Sequence, residues 1–513
     1  MTTTIQKPQE NLLEKIVSLS QRRGFIFPNS EIYGGLAGVY DLGPLGAELK
    51  NNLVNSFWNY FITKRRDIVG HDGSILANAK VWNASGHVDA FNDPLVDCKK
   101  CKSRFRADAL IEEELKISVD GVTHDKLTEL IKKHKLTCQK CKGELTEARA
   151  FNMMFKTHIG PIADDNNTIY LRPETAQLIF TNYKQIQLSM RKTLPFGIAQ
   201  WGKAFRNEIA PRNFIFRLRE LTQAEIEFFV DPEKINEAPL ADKQLKIKTT
   251  FVTQDDQEHK KEPKQHTIDE MIKNNAINTK WHAYWLAEIY LFYTQILGVK
   301  SENLRFRQHM KDELSHYSSQ TWDLEYKFPW GFKEIAAVAN RGDFDLTQHQ
   351  KQSTKDLTYF EESTKRRFLP HVLEPTFGID RMMLVVLCDA YEEKKNETGS
   401  TTTMHLKPTI APYKIAILPL MKKDGLAEKA REITQVLTDE LDWQIEYDEA
   451  GSIGKRYARN DEIGTPICIT IDYDTLTDES VTIRDRDSTK QQRVKINELT
   501  QKCKSLILQK ELV

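Results

Sequence analysis

Charged side chains alternate with apolar ones along residues 196–230, whose pattern predicts two strands joined by a short loop. Alternation would place Arg206 and Glu208 on one face of the first strand, and Arg217 and Arg219 on the same face of the second. Guanidinium groups that converge in this way can bind phosphate oxygens through paired hydrogen bonds. The segment therefore indicates an anion-binding surface, although an exposed ladder of cross-strand ion pairs would have the same pattern.

Charged residues also interrupt apolar patterns further along the chain. Glu334 lies in a predicted strand of small apolar residues, and Glu374 lies in the strand predicted over 371–377. A buried carboxylate is costly unless it is paired or binds a metal, so Glu334 indicates either a functional ligand or a plain ion pair. Arg381 begins the next predicted helix, where a cation opposes the helix dipole. This position indicates a bound anion or a glutamate partner.

Two Cys-x-x-Cys pairs, Cys98/Cys101 and Cys138/Cys141, lie in lysine-rich segments separated by 36 residues. Each pair can supply two thiolates to a tetrahedral zinc ion. Four unligated structural cysteines are the alternative, and a redox role fits less well because the motif occurs twice. The other three cysteines are isolated, which is not the pattern of a disulfide framework and indicates a reducing compartment.

Composition excludes several classes of protein. The chain has 513 residues, 40% hydrophobic and 28% charged, which is typical of a soluble globular protein of about three domains. Lys+Arg and Asp+Glu balance at 73 each, so the chain is not a uniformly basic nucleic-acid binder. No apolar run reaches the ~18 residues of a membrane span, and the N-terminus lacks the apolar core of a signal peptide. Glycine-rich phosphate loops are absent, so a nucleotide would have to be bound in another way.

Periodicity predicts the elements that would position these residues. Residues 11–23 and 47–62 have helical patterns, and the second of these is either a core helix or a dimer element. Residues 281–297 predict a buried, aromatic-rich helix. A strand at 168–171 precedes a helix predicted to start at Pro173, which would make Glu174 an ordinary helix-end acid.

Two further regions differ in composition. Residues 231–280 are polar and predict a surface insertion with modest structure, and helices are predicted over 107–116 and 126–135 between the cysteine pairs. After a proline-marked linker, the residues from 413 onward alternate strand and helix patterns and predict a compact α/β domain. Its basic cluster (Lys455, Arg456 and Arg459) is consistent with a solvated helix face or with RNA contact.

Several motifs in this order resemble class II aminoacyl-tRNA synthetases and, more narrowly, the homodimeric glycyl-tRNA synthetases. The resemblance spans nearly all of residues 11–505. The motifs that carry it are DCKKCKSRFRAD (97–108), LRPETAQ (171–177), FRNEIAPRNFIFRLRE (205–220), ANR (339–341), EPTFGIDR (374–381) and GSIGKRYARNDEIGTP (451–466).

This resemblance implies an α+β fold in which an antiparallel sheet flanked by helices carries the ATP site. The catalytic domain would cover residues 1–407, with insertions at about 93–150 (zinc-binding), 231–280 and 342–370, and an α/β anticodon-binding domain would cover 408–513. The implied reaction is activation of glycine by ATP to glycyl-adenylate, followed by transfer to the 3′ end of glycine tRNA. A cytoplasmic homodimer that uses Mg²⁺ with ATP and carries a structural Zn²⁺ is also implied.

The resemblance also assigns site residues. Arg206 and Arg381 would be catalytic, Glu334 a magnesium ligand, and the four cysteines at 98, 101, 138 and 141 zinc ligands. The ATP-binding set would be Arg206, Asn207, Glu208, Phe216, Arg217, Leu218, Arg219, Glu220, Leu221, Glu334, Ile335, Gly378, Ile379, Asp380 and Arg381. The glycine-binding set would be Arg106, Glu174, Leu221, Gln223, Glu225, Arg341, Glu374, Thr376 and Gly378.

Two positions depart from the family pattern. Leu221 stands where an aromatic residue is usual, and Thr376 replaces a serine. Two other functions remain open: a class II synthetase for another small amino acid (proline, threonine or serine), and a non-catalytic, synthetase-like nucleic-acid-binding subunit. Because Arg206, Arg217 and Arg381 are all present, the sequence favours a catalytic protein.

Overall fold

A computed structural model describes residues 12–115, 117, 119, 122–161, 167–396 and 399–508. The first residue of the helix predicted over 11–23 and the last residue of the helix predicted over 107–116 lie outside these residues. The strands are β1 (Ile26–Pro28), β2 (Tyr40–Leu42), β3 (Ile68–Gly70), β4 (Leu76–Ala77), β5 (Asn92–Asp97), β6 (Arg104–Arg106), β7 (Arg149–Asn152), β8 (Lys156–His158), β9 (Thr168–Leu171), β10 (Phe196–Phe205), β11 (Glu220–Val230), β12 (Lys248–Val252), β13 (Lys264–Thr267), β14 (Leu304–Gln308), β15 (Gln320–Phe328), β16 (Gly331–Gly342), β17 (Tyr359–Glu361), β18 (Arg366–Phe368), β19 (His371–Gly378), β20 (Tyr391–Asn396), β21 (Gly399–Met404), β22 (Ile415–Pro419), β23 (Ile445–Tyr447), β24 (Ile467–Ile471), β25 (Ser480–Asp485) and β26 (Gln491–Lys495).

The helices flank or connect these strands. They are α1 (Leu12–Arg23), α2 (Pro44–Trp58), α3 (Ala79–Ala84), α4 (His87–Ala90), α5 (Ala107–Leu115), α6 (His124–Lys133), α7 (Ala176–Ser189), α8 (Asp242–Leu245), α9 (Gln254–Glu258), α10 (Ile268–Lys273), α11 (Lys280–Leu291), α12 (Phe344–Ser353), α13 (Ile379–Ala390), α14 (Leu426–Glu440), α15 (Ile453–Ile463), α16 (Thr475–Asp478) and α17 (Leu499–Ile507). None of the helices within the described ranges is long and apolar enough to span a membrane.

A nine-stranded sheet in the order β13-β12-β14-β15-β16-β19-β11-β10-β3 forms the centre of the molecule. Its neighbouring strands are antiparallel except for the β12/β14 and β3/β10 pairs. On β11, Ala224, Ile226 and Phe228 face the main hydrophobic core, whereas Gln223 and Glu225 lie on the opposite face because side chains alternate along a strand. The predicted antiparallel sheet flanked by helices is confirmed.

Two predicted helices lie inside the core. Every residue of α11 from Trp281 to Leu291 is buried, which confirms the buried helix expected at 281–297. In α2 and the π-helical turn that follows it, Leu49, Leu53, Phe57 and Phe61 are fully buried in the same cluster. Within one chain, this helix is therefore a core element.

The turn between β10 and β11 differs from the short loop expected. The two strands end at Phe205 and begin again at Glu220, so residues 206–219 form a long connection that includes a 3₁₀ turn at Phe214–Phe216. Asn213 and Phe214 both have φ near +59°, a backbone conformation that interrupts strand pairing. The arginines of this connection therefore do not follow strand alternation, and the expectation that all of them share one sheet face is wrong.

Two other local expectations change. Residues 231–280 are more structured than the modest surface segment expected, because β12 and β13 extend the central sheet and β12 pairs with β14. Helix α7 begins at Ala176 and not at Pro173. Glu174 therefore lies in the connection between β9 and α7, where its side chain is buried.

Smaller units surround the sheet. Strands β6, β5 and β7 form a three-stranded sheet that packs with α5 and α6 around a separate small core, which carries the cysteine pairs. At the C-terminal end, strands in the order β23-β22-β24-β25-β26 pack with α14 and α17 around their own core. This arrangement is the α/β unit expected from the sequence.

Candidate active site

A cavity of about 450 Å³ lies over the face of the central sheet that is turned away from the main core. Its floor comes from β11, β19, β16 and β15, and segments near residues 86–91 and 315–317 cover one end of it. Small floor residues leave the space open. They are Ala337, Ala339, Thr376 and Gly378.

One end of the cavity carries arginines from three parts of the chain. Arg381, in the first turn of α13, pairs with Glu334 at 3.0 Å and places its guanidinium 4.5 Å from the centre of the Phe216 ring. Arg217 donates from Nε to Glu208 at 2.5 Å. Of the two expectations for Arg381, a bound anion or a glutamate partner, the structure shows the glutamate. That partner is Glu334 on β16.

Arg206 has a different environment from these paired arginines. Its Nε donates to the carbonyl of Pro173 at 3.1 Å, and its guanidinium lies 5.5 Å from the Phe91 ring centre. Among the described residues, no carboxylate forms an ion pair with it. A guanidinium that lines a cavity without a carboxylate partner is available to an anionic ligand.

The other end of the cavity is acidic. Glu174, Glu225 and Glu374 all line it and are all buried. Glu174 lies 3.2 Å from Nε2 of His87, and Glu225 accepts hydrogen bonds from the backbone N–H (2.8 Å) and hydroxyl of Thr175. Three carboxylates around a small space provide hydrogen-bond acceptors for a compact cation such as an ammonium group.

The pKa values of these three carboxyl groups shift in different directions. Burial raises the pKa of Glu374 to about 8, although Arg341 opposes this shift. Burial and the charge of Glu174 raise the pKa of Glu225. Burial also acts on Glu174, but its neighbour His87 outweighs that effect and lowers the pKa. Because burial opposes the charge of Glu374 and Glu225, a cation bound between these carboxyl groups would be stabilised by them and would lower their pKa values.

A buried ion-pair network supports Glu374 from behind. Arg341, with a side chain only 1% exposed, binds both carboxylate oxygens of Asp345 (2.7 and 2.8 Å) and one oxygen of Glu374 at 2.9 Å. Its guanidinium also lies 3.7 Å from the centre of the Tyr317 ring. Arg341 therefore orients a cavity carboxylate and is not itself one of the lining residues.

The structure brings most of the predicted residues together and leaves some outside. Those that line the cavity are Glu174, Arg206, Glu208, Phe216, Arg217, Leu218, Leu221, Gln223, Glu225, Glu334, Glu374, Thr376, Gly378, Asp380 and Arg381. The predicted residues that do not line it are Arg106, Asn207, Arg219, Glu220, Ile335, Arg341 and Ile379.

The contacts of Arg219 and Arg106, two of the three predicted arginines outside the lining, account for their positions. Arg219 donates to the carbonyls of Glu208 (3.1 Å) and Ala37 (2.7 Å), so its guanidinium is turned away from the cavity. Arg106 pairs with Asp108 and lies 3.2 Å from Asp93. Arg106 thus lies near the arginine end through Asp93 and does not reach the three glutamates.

Several cavity residues were not identified from the sequence. His87, His309, His316, Tyr317 and Asp323 all line the cavity. His87 begins a short helix and His309 and His316 lie in the loop between β14 and β15, and single histidines at such positions are too common to be singled out without the fold. Glu227 lies on the predicted charged face, yet its complete burial and the absence of hydrogen-bond partners for both its carboxylate oxygens within the described structure are visible only in three dimensions.

The four cysteines of the small insertion come together as the spacing predicted. Their sulfur atoms all lie within 4.8 Å of one another, with 3.5 Å between Cys98 and Cys141 and 3.6 Å between Cys101 and Cys138. Zn–S bonds of about 2.3 Å in a tetrahedron place sulfurs about 3.8 Å apart. The donor set and its geometry fit a zinc ion.

The basic cluster of the C-terminal unit is largely structural. Arg456 is buried and donates to the carbonyls of Pro419 and Leu420. Arg459 forms an ion pair with Asp448. Two of the three basic residues therefore hold the unit together, and of the cluster only Lys455 is left as a solvent-exposed charge.

The central antiparallel sheet carries arginines at one end of a cavity, and a separate α/β unit lies at the C-terminal end of the chain. Together these features define a class II aminoacyl-tRNA synthetase. A family model of the tRNA synthetase class II core domain (G, H, P, S and T) matches residues 155–390, and a model of the anticodon binding domain matches residues 414–506. Enzymes of this class use ATP with Mg²⁺. The predicted enzyme class is confirmed.

Curated relatives specify the member of the class. The chain is 48% identical over 500 residues to a glycine–tRNA ligase of Clostridium kluyveri. The aligned residues cover 96% of this chain and 98% of the relative. It is 47% identical over 493 residues to that of Bacillus thuringiensis (95% and 97%) and 47% identical over 494 residues to that of Acetivibrio thermocellus (95% and 96%). The chain belongs to the glycine–tRNA ligase family.

The Arg341 network can be tested through stability. Arg341→Ala should lower the free energy of unfolding by about 3–5 kcal/mol, because two buried carboxylates lose the cation between them. Urea denaturation followed by tryptophan fluorescence measures the change.

Arg367→Ala is the matched control for this variant. The Arg367 side chain is 62% exposed and lies 3.6 Å from Asp356, so its loss should change stability by less than about 1 kcal/mol. An equally small loss for Arg341→Ala would contradict a supporting role for the buried network.

Proposed function

We propose that this chain activates glycine with ATP and then transfers the glycyl group to the 3′ end of glycine tRNA. In the first step a glycine carboxylate oxygen bonds to the α-phosphorus of ATP while the bond to the pyrophosphate oxygen breaks. In the second, a terminal ribose hydroxyl of the tRNA attacks the carbonyl and AMP leaves. Neither step requires a protein nucleophile, so the chain must position the reactants and neutralise charge.

The observation that carries this proposal is the separation of charge within one cavity. Arginines at one end suit a triphosphate, and three carboxylates at the other end suit an ammonium group. A reactant pair that joins a carboxylate to a phosphate matches this arrangement. Glycine would lie with its ammonium among Glu174, Glu225 and Glu374, so that its carboxylate points toward Arg206.

The arginine end would bind ATP. Arg206 is the residue best placed for the α-phosphate, because no carboxylate of the described residues occupies it. Phe216 and Arg381 present stacked surfaces to a flat base, and Glu208 can accept a hydrogen bond from an adenine amino group. Glu334 would hold the Mg²⁺ that accompanies ATP, since that ion takes carboxylate and phosphate oxygens, and the ion would offset phosphate charge.

Selection for glycine would follow from the small space at the acidic end. Ala337, Ala339 and Thr376 form its floor, and Tyr317 covers it. Because these residues lie on or against paired strands, room for a larger amino-acid side chain would require displaced backbone. Larger amino acids are excluded by volume, and no smaller one exists to compete.

Amino-acid-dependent ATP–pyrophosphate exchange tests this proposal. Among the twenty amino acids, glycine alone should support rapid exchange. Glu225→Gln should raise the KM for glycine by at least 30-fold, on the order expected for one charge-assisted contact, with the KM for ATP changed by less than about threefold. Arg206→Gln should lower kcat by about 10²–10³-fold.

Glu362→Gln is the matched control for the exchange assay. The Glu362 side chain is 80% exposed and pairs with Lys365 at 2.9 Å, and neither residue lines the cavity. The kinetic constants of this variant should equal those of the wild type. Exchange with alanine, serine or proline and none with glycine would refute the proposed specificity.

We also propose that the four-cysteine cluster of the insertion holds a structural zinc ion. Purified protein should contain about one zinc per chain, and Cys138→Ser should lose most of it, because three thiolates bind zinc far more weakly than four. Mass spectrometry of metal content measures this. Cys388→Ser, at a buried cysteine distant in sequence from the cluster, is the control and should keep its zinc. Full zinc content in Cys138→Ser would contradict the proposal.

A homodimer is proposed as the functional assembly. Exposed apolar side chains support it, because the tip between β1 and β2 presents Ile32 (88% exposed), Tyr33 (86%) and Leu36 (56%), and clustered apolar surface of this kind is typical of an interface.

Light scattering can test the assembly. Replacing both Ile32 and Tyr33 with aspartate should shift the protein from dimer to monomer, because charged groups oppose burial at an interface. Leu188→Asp, at a single exposed leucine (61%), should leave the mass unchanged. A monomeric wild type would refute the assembly.

The domain roles follow from the same proposal. Residues 1–407 would form the catalytic domain and 408–513 the anticodon-binding domain, which limited proteolysis near 408–413 can examine. A cytoplasmic location is proposed because the buried cysteines outside the cluster are unpaired, as expected of a reducing compartment; cell fractionation tests it.

A further inference from the structure

We propose that His309, held by Asp323, is a further catalytic residue that contacts the α-phosphate from the side opposite Arg206. This inference rests on the proposed function, because it assigns a role within the same activation step. It concerns a residue pair that the ATP and glycine assignments leave unused.

The position of His309 follows from strand register. His309 comes directly after β14, and its backbone N–H donates to the carbonyl of Thr321 at 3.0 Å. Its partner Asp323 on β15 lies across from Ala337 on β16. Along β16, Ala337 lies between Glu334 at the arginine end and Ala339, which is opposite Glu374 at the acidic end. The ring of His309, held at Asp323, therefore lies between the two ends of the cavity, where glycine and ATP must meet.

Asp323 fixes the ring of His309. Nε2 of the imidazole lies 2.9 Å from both carboxylate oxygens of Asp323, and Asp323 is itself buried. With Nε2 donating to this carboxylate, Nδ1 is the nitrogen left over, and it has no hydrogen-bond partner among the described residues. A ring held at one nitrogen and unpartnered at the other can contact a ligand.

The surroundings favour the charged imidazolium. Burial opposes the charge, but the hydrogen bond and the negative charge of Asp323 outweigh it and raise the pKa of His309. Glu334 on β16 and Glu313 in the following loop add to this effect, and Arg307 on β14 lies 3.8 Å from Asp323 as its second cationic neighbour. His309 therefore brings positive charge to the middle of the cavity.

Two cations would then flank the reacting phosphorus. Arg206 directly follows β10 and His309 directly follows β14, and these strands lie on opposite sides of β16 and β19 in the sheet. As the glycine oxygen bonds to phosphorus and the electron pair departs with pyrophosphate, negative charge is redistributed over the phosphate oxygens. The imidazolium keeps its proton throughout and stabilises that charge, so no proton transfer is required.

The test is ATP–pyrophosphate exchange with His309→Gln. This variant keeps a hydrogen-bonding group but removes the charge, so kcat should fall by about 10²-fold or more, while the KM for glycine changes by less than about threefold. The wild-type kcat should decline at high pH as His309 loses its proton, and this limb should be absent from His309→Gln. His266→Gln, at a histidine of β13 outside the cavity, is the matched control and should behave as wild type.

Several outcomes decide between this inference and its alternatives. If His309→Gln keeps more than about a third of the wild-type kcat, or if only the KM for glycine changes, His309 has no role at the phosphate and the inference fails while the proposed function stands. If the wild type shows no glycine-dependent exchange, the proposed function itself fails. If His309→Gln does not fold, a comparison of the pH profile of Asp323→Asn with that of the wild type decides the question. The variant should lower kcat and shift the high-pH limb to lower pH, and an unshifted or absent limb would overturn the inference.

Discussion

Strand pairing among β11, β19 and β16 is the constraint on which the rest of the structure depends. Because side chains alternate, each of these strands contributes to the hydrophobic core with one set of residues and to the cavity with the other. Phe377 packs into the core while its neighbours Thr376 and Gly378 form the cavity floor. A shift of one residue in this register would exchange the two sets. Folding of the core and assembly of the site are therefore the same event.

Electrostatics then divides the cavity into two halves. The arginine end and the acidic end are close enough for their opposite charges to attract each other. Ion pairs within each end nevertheless hold the charged side chains in place. Glu334 and Glu208 neutralise two of the arginines, and Arg341 with Asp345 fixes Glu374. In a setting shielded from water such charges interact strongly. Arg217 and Arg381 are thus paired within the protein while Arg206 is not, and substrates of matching charge can take the place of these internal partners.

Patterns that repeat within a few residues were predictable from the sequence. The strands at 196–205 and 371–378, the buried helix after Lys280 and the two cysteine pairs all have local signals of this kind. A loop at 211–213 was predictable from its turn-forming residues, but its extension over 206–219 was not, because the positive φ of Asn213 and Phe214 depends on the assembled fold. Contacts between distant segments, such as His87 with Glu174 or Arg219 with Ala37, depend on the assembled fold. The lack of hydrogen-bond partners at the Glu227 carboxylate, within the described structure, likewise depends on which residues the fold places around it.

The two halves of the cavity rest largely on different kinds of backbone. Glu225, Glu374 and Thr376 stand on strands that pair with a neighbouring strand on each side, whereas Arg206, Glu208 and Arg217 belong to an irregular connection. Thermal motion is smaller in paired strands than in connections of this type. The amino-acid half is therefore the more rigid one, and it selects the substrate by size. The nucleotide half can change its conformation as the triphosphate is converted to an adenylate.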